Sequence, residues 1–157
     1  MLKTSEETAM LPIGTVTVRG SANNLTQEIV AGRHKLVADE PVSDGGKDLG
    51  PGPFQLLMAA LGACTSMTVL LFAGRKSWPL DDVTVRLRHV KTQLPDGGAT
   101  DFIEREIVLN GPLSDEQRAR LLDVANKCPV HRTLTSGVKI ETKLSQSLEN
   151  DAVSEQR

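Results

Sequence analysis

The sequence predicts an α+β fold, and three observations carry that prediction: alternating strand segments open the chain, one long uncharged helical segment follows, and further strands come after it. A chain of 157 residues is long enough to form one hydrophobic core. Neither a repeat nor a linker divides the sequence. We therefore expect a single domain over residues 11–144, with flexible polar tails at residues 1–10 and 145–157.

The first third of the chain predicts three strands. Ile13–Arg19 is rich in β-branched residues, and Thr26–Ala31 and His34–Ala38 follow it. These segments are separated by Gly20–Asn24 and Gly32, and glycine and asparagine are typical of turns. The spacing therefore indicates three consecutive strands joined by short connections.

A long helix is predicted in the middle of the chain, after a loop over residues 39–53 that is rich in glycine, proline and aspartate. Residues 49–74 contain no charged side chain. Pro53 suits the first turn of a helix, and Gly74 with the basic pair Arg75–Lys76 provides its end. We therefore expect the helix to begin near Pro53 and to end near Arg75.

This helix has the length of a membrane span, but its middle, Gly62–Ser66, is small and polar, and the rest of the chain is typical of a soluble protein. We favour a helix that is buried on nearly all sides. Because so short a chain cannot wrap such a helix completely, a second subunit is expected to cover the remaining face. The sequence therefore predicts an obligate homodimer and no membrane association.

Three further strands are predicted after the long helix. Val83–Val90 alternates between apolar and polar residues, which is typical of a strand with one buried face. Pro95–Gly98 has the composition of a turn, and Phe102–Leu109 is expected to pair back as the second strand of a hairpin. Val138–Lys143 is predicted to be the final strand.

A helix between these strands brings one cysteine to a special position. Ser114 and Gln117 have the spacing of a capping box, which opens a helix, and Cys128 and Pro129 interrupt it. With Pro129 at the first position of a new helix, Cys128 would be its N-cap, where unpaired N–H groups and the helix dipole favour a thiolate. The string Cys128–Arg132 also holds a histidine and an arginine within one turn.

Composition excludes several classes of function. The net charge is −2 and aromatic residues make up 3% of the chain, so no surface for nucleic acid is expected. Cys128 and His131 have a C-x-x-H spacing, but the second ligand pair of a structural zinc site is missing, so no metal is expected. The chain has only two cysteines, which is typical of reduced thiols and not of a disulfide-stabilised secreted fold. Its N-terminus is acidic where a signal peptide would be basic, so we expect the protein in the cytoplasm.

Cys64 lies about eleven residues into the long helix, where apolar surroundings would make a thiol inert. To act as a nucleophile it needs a nearby cation, which one desolvated arginine can supply. Arg75 lies on a similar face of the same helix but about 16 Å away, at 1.5 Å per residue, and is therefore excluded. Arg19 and Arg33 remain as candidates, and the residues alone leave the choice open.

At this point the chain resembles the OsmC/Ohr family of hydroperoxide reductases over about residues 33–142. Three strings carry the resemblance: HKLVADEP at 34–41, GPGPFQLLMAALGACTSMT at 50–68, and CPVHRTL at 128–134. A cysteine after Leu-Gly-Ala in a long helix, matched with a distant Cys-Pro, is a specific pair, whereas either string alone is weak.

The resemblance implies an intertwined homodimer with antiparallel sheets around two central helices. It also implies a thiol peroxidase that uses neither metal nor flavin, with Cys64 as peroxidatic and Cys128 as resolving cysteine. The implied substrates are small organic hydroperoxides, with hydrogen peroxide as a further candidate. The implied reductant is a dithiol, which is a lipoylated protein in the Ohr branch. By this resemblance Arg19 is the first candidate for the activating arginine and Arg33 the second.

One departure from the family pattern concerns the start of the long helix. In the Ohr branch this helix opens with Asn-Pro-Glu-Gln, and the glutamate orients the arginine, whereas here Phe54 stands in its place. Three acids of the preceding loop could substitute for it: Asp39, Glu40 and Asp48.

Two rival functions stay open, a dimer that binds a small apolar ligand without catalysis and a purely structural dimer.

Overall fold

The computed structural model describes residues 14–146, which form two antiparallel sheets and three α-helices. The α+β prediction is thereby confirmed. The predicted tail at 1–10, the start of the first strand at Ile13 and residues 147–157 lie outside the described residues. In chain order the elements are β1 Val16–Gly20, β2 Gln27–Ala31, β3 His34–Ala38, α1 Pro53–Arg75, β4 Asp82–Gln93, β5 Ala99–Asn110, α2 Asp115–Ala125 and α3 Pro129–Ser136.

The first sheet contains β1, β2 and β3 in that order, and both pairs are antiparallel. Gly32 and Arg33 form the two-residue turn between β2 and β3, and Gly32 takes a φ of 59°. Two-residue hairpin turns require such positive φ values, and glycine adopts them without a steric penalty. The three predicted strands are therefore present, and Arg33 lies at the end of this sheet.

The second sheet is the long hairpin of β4 and β5. Its outward face carries exposed ion pairs between Arg86 and Glu106 and between Arg88 and Glu104, each worth about 0–1 kcal/mol. The inward-facing residues are half-buried, and in β4 they are the predicted ones: Val83, Val85, Leu87 and His89. The predicted alternation is thereby confirmed, although β5 begins three residues earlier than the sequence indicated.

Helix α1 packs chiefly against β4, α2 and α3. Its bounds, Pro53 and Arg75, are those predicted. Among the described residues it is the one helix long and apolar enough to cross a membrane, a test that the core helix of a soluble protein also passes. The core lies where α1 meets α2, and its buried members are Val69, Ala73, Leu113, Leu121 and Ala125.

Two further elements follow the core. The capping box of α2 is confirmed, because Gln117 N donates to Ser114 Oγ at 3.2 Å and Ser114 N donates to Gln117 Oε1 at 2.9 Å. The predicted final strand over Val138–Lys143 is wrong, because these residues form no regular structure and Ile140 is 84% exposed. An alternating sequence becomes a strand only where a neighbouring strand exchanges hydrogen bonds with it. Within residues 14–146 no strand pairs with Val138–Lys143.

Candidate active site

Cys128 lies at the connection between α2 and α3 and is fully buried. Pro129 occupies the first position of α3, where a missing N–H is harmless and the fixed φ suits a helix. Cys128 is consequently the N-cap, and its Sγ accepts a hydrogen bond from His131 N at 3.3 Å. The predicted N-cap position of this sulfur is therefore confirmed.

Thr65 of α1 is the residue that meets this sulfur. Its side chain is fully buried, and its Oγ1 lies 3.7 Å from Cys128 Sγ. The same hydroxyl donates to Leu61 O at 2.7 Å, one turn back along the helix. The contact therefore joins the start of α3 to the middle of α1.

Cys64 is the immediate chain neighbour of Thr65, so their Cα atoms are about 3.8 Å apart. Its side chain is half-buried, and both cysteines are free thiols. Cys64 O accepts a hydrogen bond from Thr68 Oγ1 at 2.7 Å, which is a bond within the helix. The chain thus brings Cys128 to the turn of α1 that carries Cys64. The roles predicted for the two sulfurs stay predictions.

Arg105 of β5 is the cation that the sequence reasoning missed. Its Nη1 donates to Thr65 Oγ1 at 2.9 Å and to Ala125 O at 3.5 Å. Its Nη2 donates to Asn126 Oδ1 at 2.7 Å. A signal was available in the sequence: Arg105 is a charged residue in the inward register of β5, between the apolar neighbours Ile103 and Ile107.

Arg19 lies in β1 of the first sheet, and Arg33 lies in the turn between β2 and β3. Arg19 is opposite Glu28 and lines a groove of about 450 Å³ on that sheet, which Lys35 also lines. Within residues 14–146, neither a hydrogen bond nor an ion pair joins Arg19 or Arg33 to Cys64. Their predicted activating role therefore stays a prediction.

The position of the family glutamate holds an aromatic stack. The rings of Phe54 and His89 lie 4.4 Å apart between centroids and are inclined by 8°. His89 Nε2 lies 2.7 Å from Asp101 Oδ1, so the stacked imidazole also contacts a carboxylate of β5. Gln55 fixes the helix start, because its Oε1 accepts from Gly52 N at 2.8 Å.

Asp39, one of the three acids that could replace the glutamate, is occupied by its own loop. Its carboxylate is buried and accepts from the Thr26 hydroxyl at 3.0 Å and from the N–H groups of Glu40, Lys47 and Leu49 at 2.9, 3.2 and 3.4 Å. Burial raises the pKa of this carboxyl, but the four hydrogen bonds outweigh that effect and hold the pKa below its ordinary value. Asp39 therefore organises the loop that leads into α1.

Metal ligands are not grouped in the described part of the chain: residues 14–146 contain no cluster of three or more histidine, cysteine or acidic side chains able to hold a metal ion. The described site contains two thiols, one hydroxyl and one guanidinium. The Thr65 hydroxyl links the guanidinium of Arg105 to the sulfur of Cys128.

Comparison with solved structures identifies the fold. An OsmC-like protein from Mycoplasma pneumoniae shares 22% identity over 80% of this chain and 89% of its own, with a TM-score of 0.66. An organic hydroperoxide resistance protein OsmC from Legionella pneumophila shares 21% identity over 79% of this chain and 90% of its own, at a TM-score of 0.59. OhrB, the organic hydroperoxide resistance protein of Bacillus subtilis, shares 20% identity over 76% of this chain and 87% of its own, at 0.54.

No curated protein matches the chain significantly. The sequence profile of the family described as OsmC-like protein, in contrast, matches residues 45–143. This range includes α1, the β4–β5 hairpin and both cysteines. With a profile match over more than half of its length and a fold shared with the solved members, this chain belongs to the OsmC-like protein family.

Proposed function

We propose that the protein is a thiol-dependent peroxidase that reduces organic hydroperoxides through Cys64 and Cys128. The observation that carries this proposal is the contact between Cys128 Sγ and Thr65 Oγ1, because it brings the second cysteine to the helical turn that bears the first. The family membership supports the reaction class, and two solved members that share the fold are organic hydroperoxide resistance proteins. Hydrogen peroxide is a second candidate substrate.

The proposed reaction has three balanced steps. The Cys64 thiolate attacks the distal peroxide oxygen, the O–O bond breaks, and the alcohol leaves with one proton while Cys64 becomes a sulfenic acid. Cys128 then attacks the Cys64 sulfur, which forms the disulfide and releases water. A dithiol reductant finally exchanges with that disulfide, so that both cysteines return as thiols and the reductant leaves as a disulfide. Thiols in the cytoplasm are kept reduced, and we place the protein there.

A homodimer is part of the proposal, because α1 is covered on one side only. Its other side is apolar and exposed, with Met67 and Leu71 each 62% accessible. The first sheet is apolar and exposed as well, at Val16 and Val18. A second copy of the chain supplies matching apolar surfaces for both. The second copy would also bring its first sheet, and Arg19 with it, against α1. Within one chain, α1 packs chiefly against β4, α2 and α3 instead.

Leu71→Glu is expected to convert the dimer into a monomer, because a charge in the centre of an apolar interface must be desolvated without a partner. Size-exclusion chromatography with light scattering should give twice the chain mass for the wild type and about one chain mass for the variant. Val108→Glu is the control, since Val108 is exposed on the outer face of the hairpin. A wild-type protein that is monomeric at micromolar concentration would contradict the dimer.

The peroxidase itself is tested by counting thiols. One equivalent of cumene hydroperoxide is expected to remove both free thiols of each chain, and dithiothreitol should restore them. Cys128→Ser should instead lose its one remaining thiol to a sulfenic acid that dimedone traps. The joined sulfurs require Cα atoms within about 7 Å of each other. Thiols that react no faster than free cysteine would contradict the peroxidase and favour the apolar-ligand dimer.

A further inference from the structure

We propose that Arg105 is a positioning residue that controls the proton of Cys128 through the hydroxyl of Thr65. The inference deepens the proposed function, because it takes Cys128 as the resolving cysteine. Its observable is the ionisation of that thiol, which is measured without any peroxide. Failure of the peroxidase and failure of the Arg105 role are therefore distinguishable.

The hydrogen bonds around Thr65 are complete when Cys128 is a thiol. A hydroxyl has one proton to donate and two lone pairs to accept with. Thr65 gives its proton to Leu61 O at 2.7 Å and accepts from Arg105 Nη1 at 2.9 Å. The second lone pair faces Cys128 Sγ at 3.7 Å, where it can accept the weak S–H donor.

Loss of the Cys128 proton reverses one of these bonds. The thiolate becomes an acceptor, so the Thr65 hydroxyl rotates its proton from Leu61 O to the sulfur. Leu61 O keeps the backbone N–H bond of the helix, and the sulfur keeps the N–H of His131. Arg105 remains the donor to Thr65 Oγ1 in both states, which leaves the hydroxyl proton free to point at the sulfur.

The charge of Arg105 explains the direction of this effect. The guanidinium is half-buried, and its three acceptors, Thr65 Oγ1, Ala125 O and Asn126 Oδ1, are all neutral. Within residues 14–146 no carboxylate lies within 4.0 Å of it. An anion that is separated from Arg105 only by the Thr65 hydroxyl is therefore stabilised by this positive charge. The Cys128 thiolate is the anion that the site can form.

The relay fits the resolving step. The Cys128 thiolate attacks the sulfur of the Cys64 sulfenic acid, and the S–S bond forms as the S–O bond breaks. The leaving hydroxide takes up the proton that Cys128 had lost and departs as water. A residue that favours the thiolate of Cys128 therefore shortens the lifetime of the sulfenic acid, which protects Cys64 from further oxidation.

The test uses Cys64→Ala, in which Cys128 is the single thiol, and reads the thiolate by its absorbance at 240 nm. Arg105→Gln is expected to lower the thiolate fraction at neutral pH about tenfold, the equivalent of about 1.4 kcal/mol. Arg105→Lys should retain most of it, because it keeps the positive charge. Equal fractions in Arg105→Gln and the parent, or equal losses in Arg105→Gln and Arg105→Lys, would overturn the proposal.

Two further variants separate the relay from a structural clamp. Asn126→Ala removes a neutral partner of Arg105 that does not contact Thr65 or Cys128, so it should change the thiolate fraction far less than Arg105→Gln does. In a Thr65→Val background the effect of Arg105→Gln should be clearly smaller, because only the direct effect of the charge remains once the hydroxyl is gone. A full Arg105→Gln effect in that background, or an Asn126→Ala effect of the same size, would show that Arg105 acts by holding the turn.

Discussion

Cys64→Ser is expected to abolish peroxide consumption, with a loss on the order of 10³-fold or more. A serine hydroxyl at neutral pH holds almost no alkoxide, whereas a thiol ionises readily and its sulfur is a strong nucleophile. The substitution replaces one atom at a half-buried position of α1, so the fold should be retained. Consumption of cumene hydroperoxide with dithiothreitol as reductant measures the loss.

Cys128→Ser is the matched control, since it removes the other sulfur by the same chemical change. Without added dithiothreitol it should still consume about one peroxide per chain in the first turnover and then stall or overoxidise, because the protein holds no second thiol to resolve the sulfenic acid. A Cys64→Ser protein that consumed peroxide at the wild-type rate would show that Cys64 is not the nucleophile. Equal defects in the first turnover would remove the distinction between the two roles.

Local sequence signals predicted most of the elements correctly. The uncharged run with Pro53 at its start fixed the bounds of α1, and the Ser114–Gln117 pair fixed the start of α2. Cys128 was placed at an N-cap because Pro129 follows it, and the structure confirms that position. Each of these helix boundaries is marked by residues within about four positions of it, where sequence and geometry are tightly coupled.

The features that the sequence did not predict depend on distant parts of the chain. Arg105 reaches Thr65 across 40 positions, and no local pattern states that β5 faces this turn of α1. The alternation of Val138–Lys143 is a valid strand signal, but a strand also needs a neighbour, and the described residues pair none with it. The role predicted for Arg19 follows from the family resemblance, and no local pattern in the sequence indicates which side chain it contacts.

Asp39→Asn is expected to loosen the loop before α1 and to lower the melting temperature by about 5–10 °C at neutral pH. Asp39 Oδ1 accepts from Glu40 N, and its Oδ2 accepts from the Thr26 hydroxyl and two further N–H groups. In either orientation of an asparagine amide, its NH₂ group replaces one of the two accepting oxygens. The NH₂ group would then face N–H or O–H donors instead of an acceptor. The loop also leaves no room to adjust, since a Cβ on Gly46 would lie 1.8 Å from Glu40 O.

The pH dependence of this loss identifies its cause. The hydrogen bonds lower the pKa of Asp39 in the folded chain below its ordinary value of 3.8, so its stabilisation is complete above that value and disappears as the pH falls through the folded pKa. Thermal unfolding from pH 7 to pH 3 should therefore show a penalty for Asp39→Asn that is largest at neutral pH and shrinks below about pH 4. Asp44→Asn, an exposed acid of the same loop, removes the same charge and should cost little at any pH. A penalty for Asp39→Asn that stayed constant over this range would mean that shape, and not the ionised carboxylate, holds the loop.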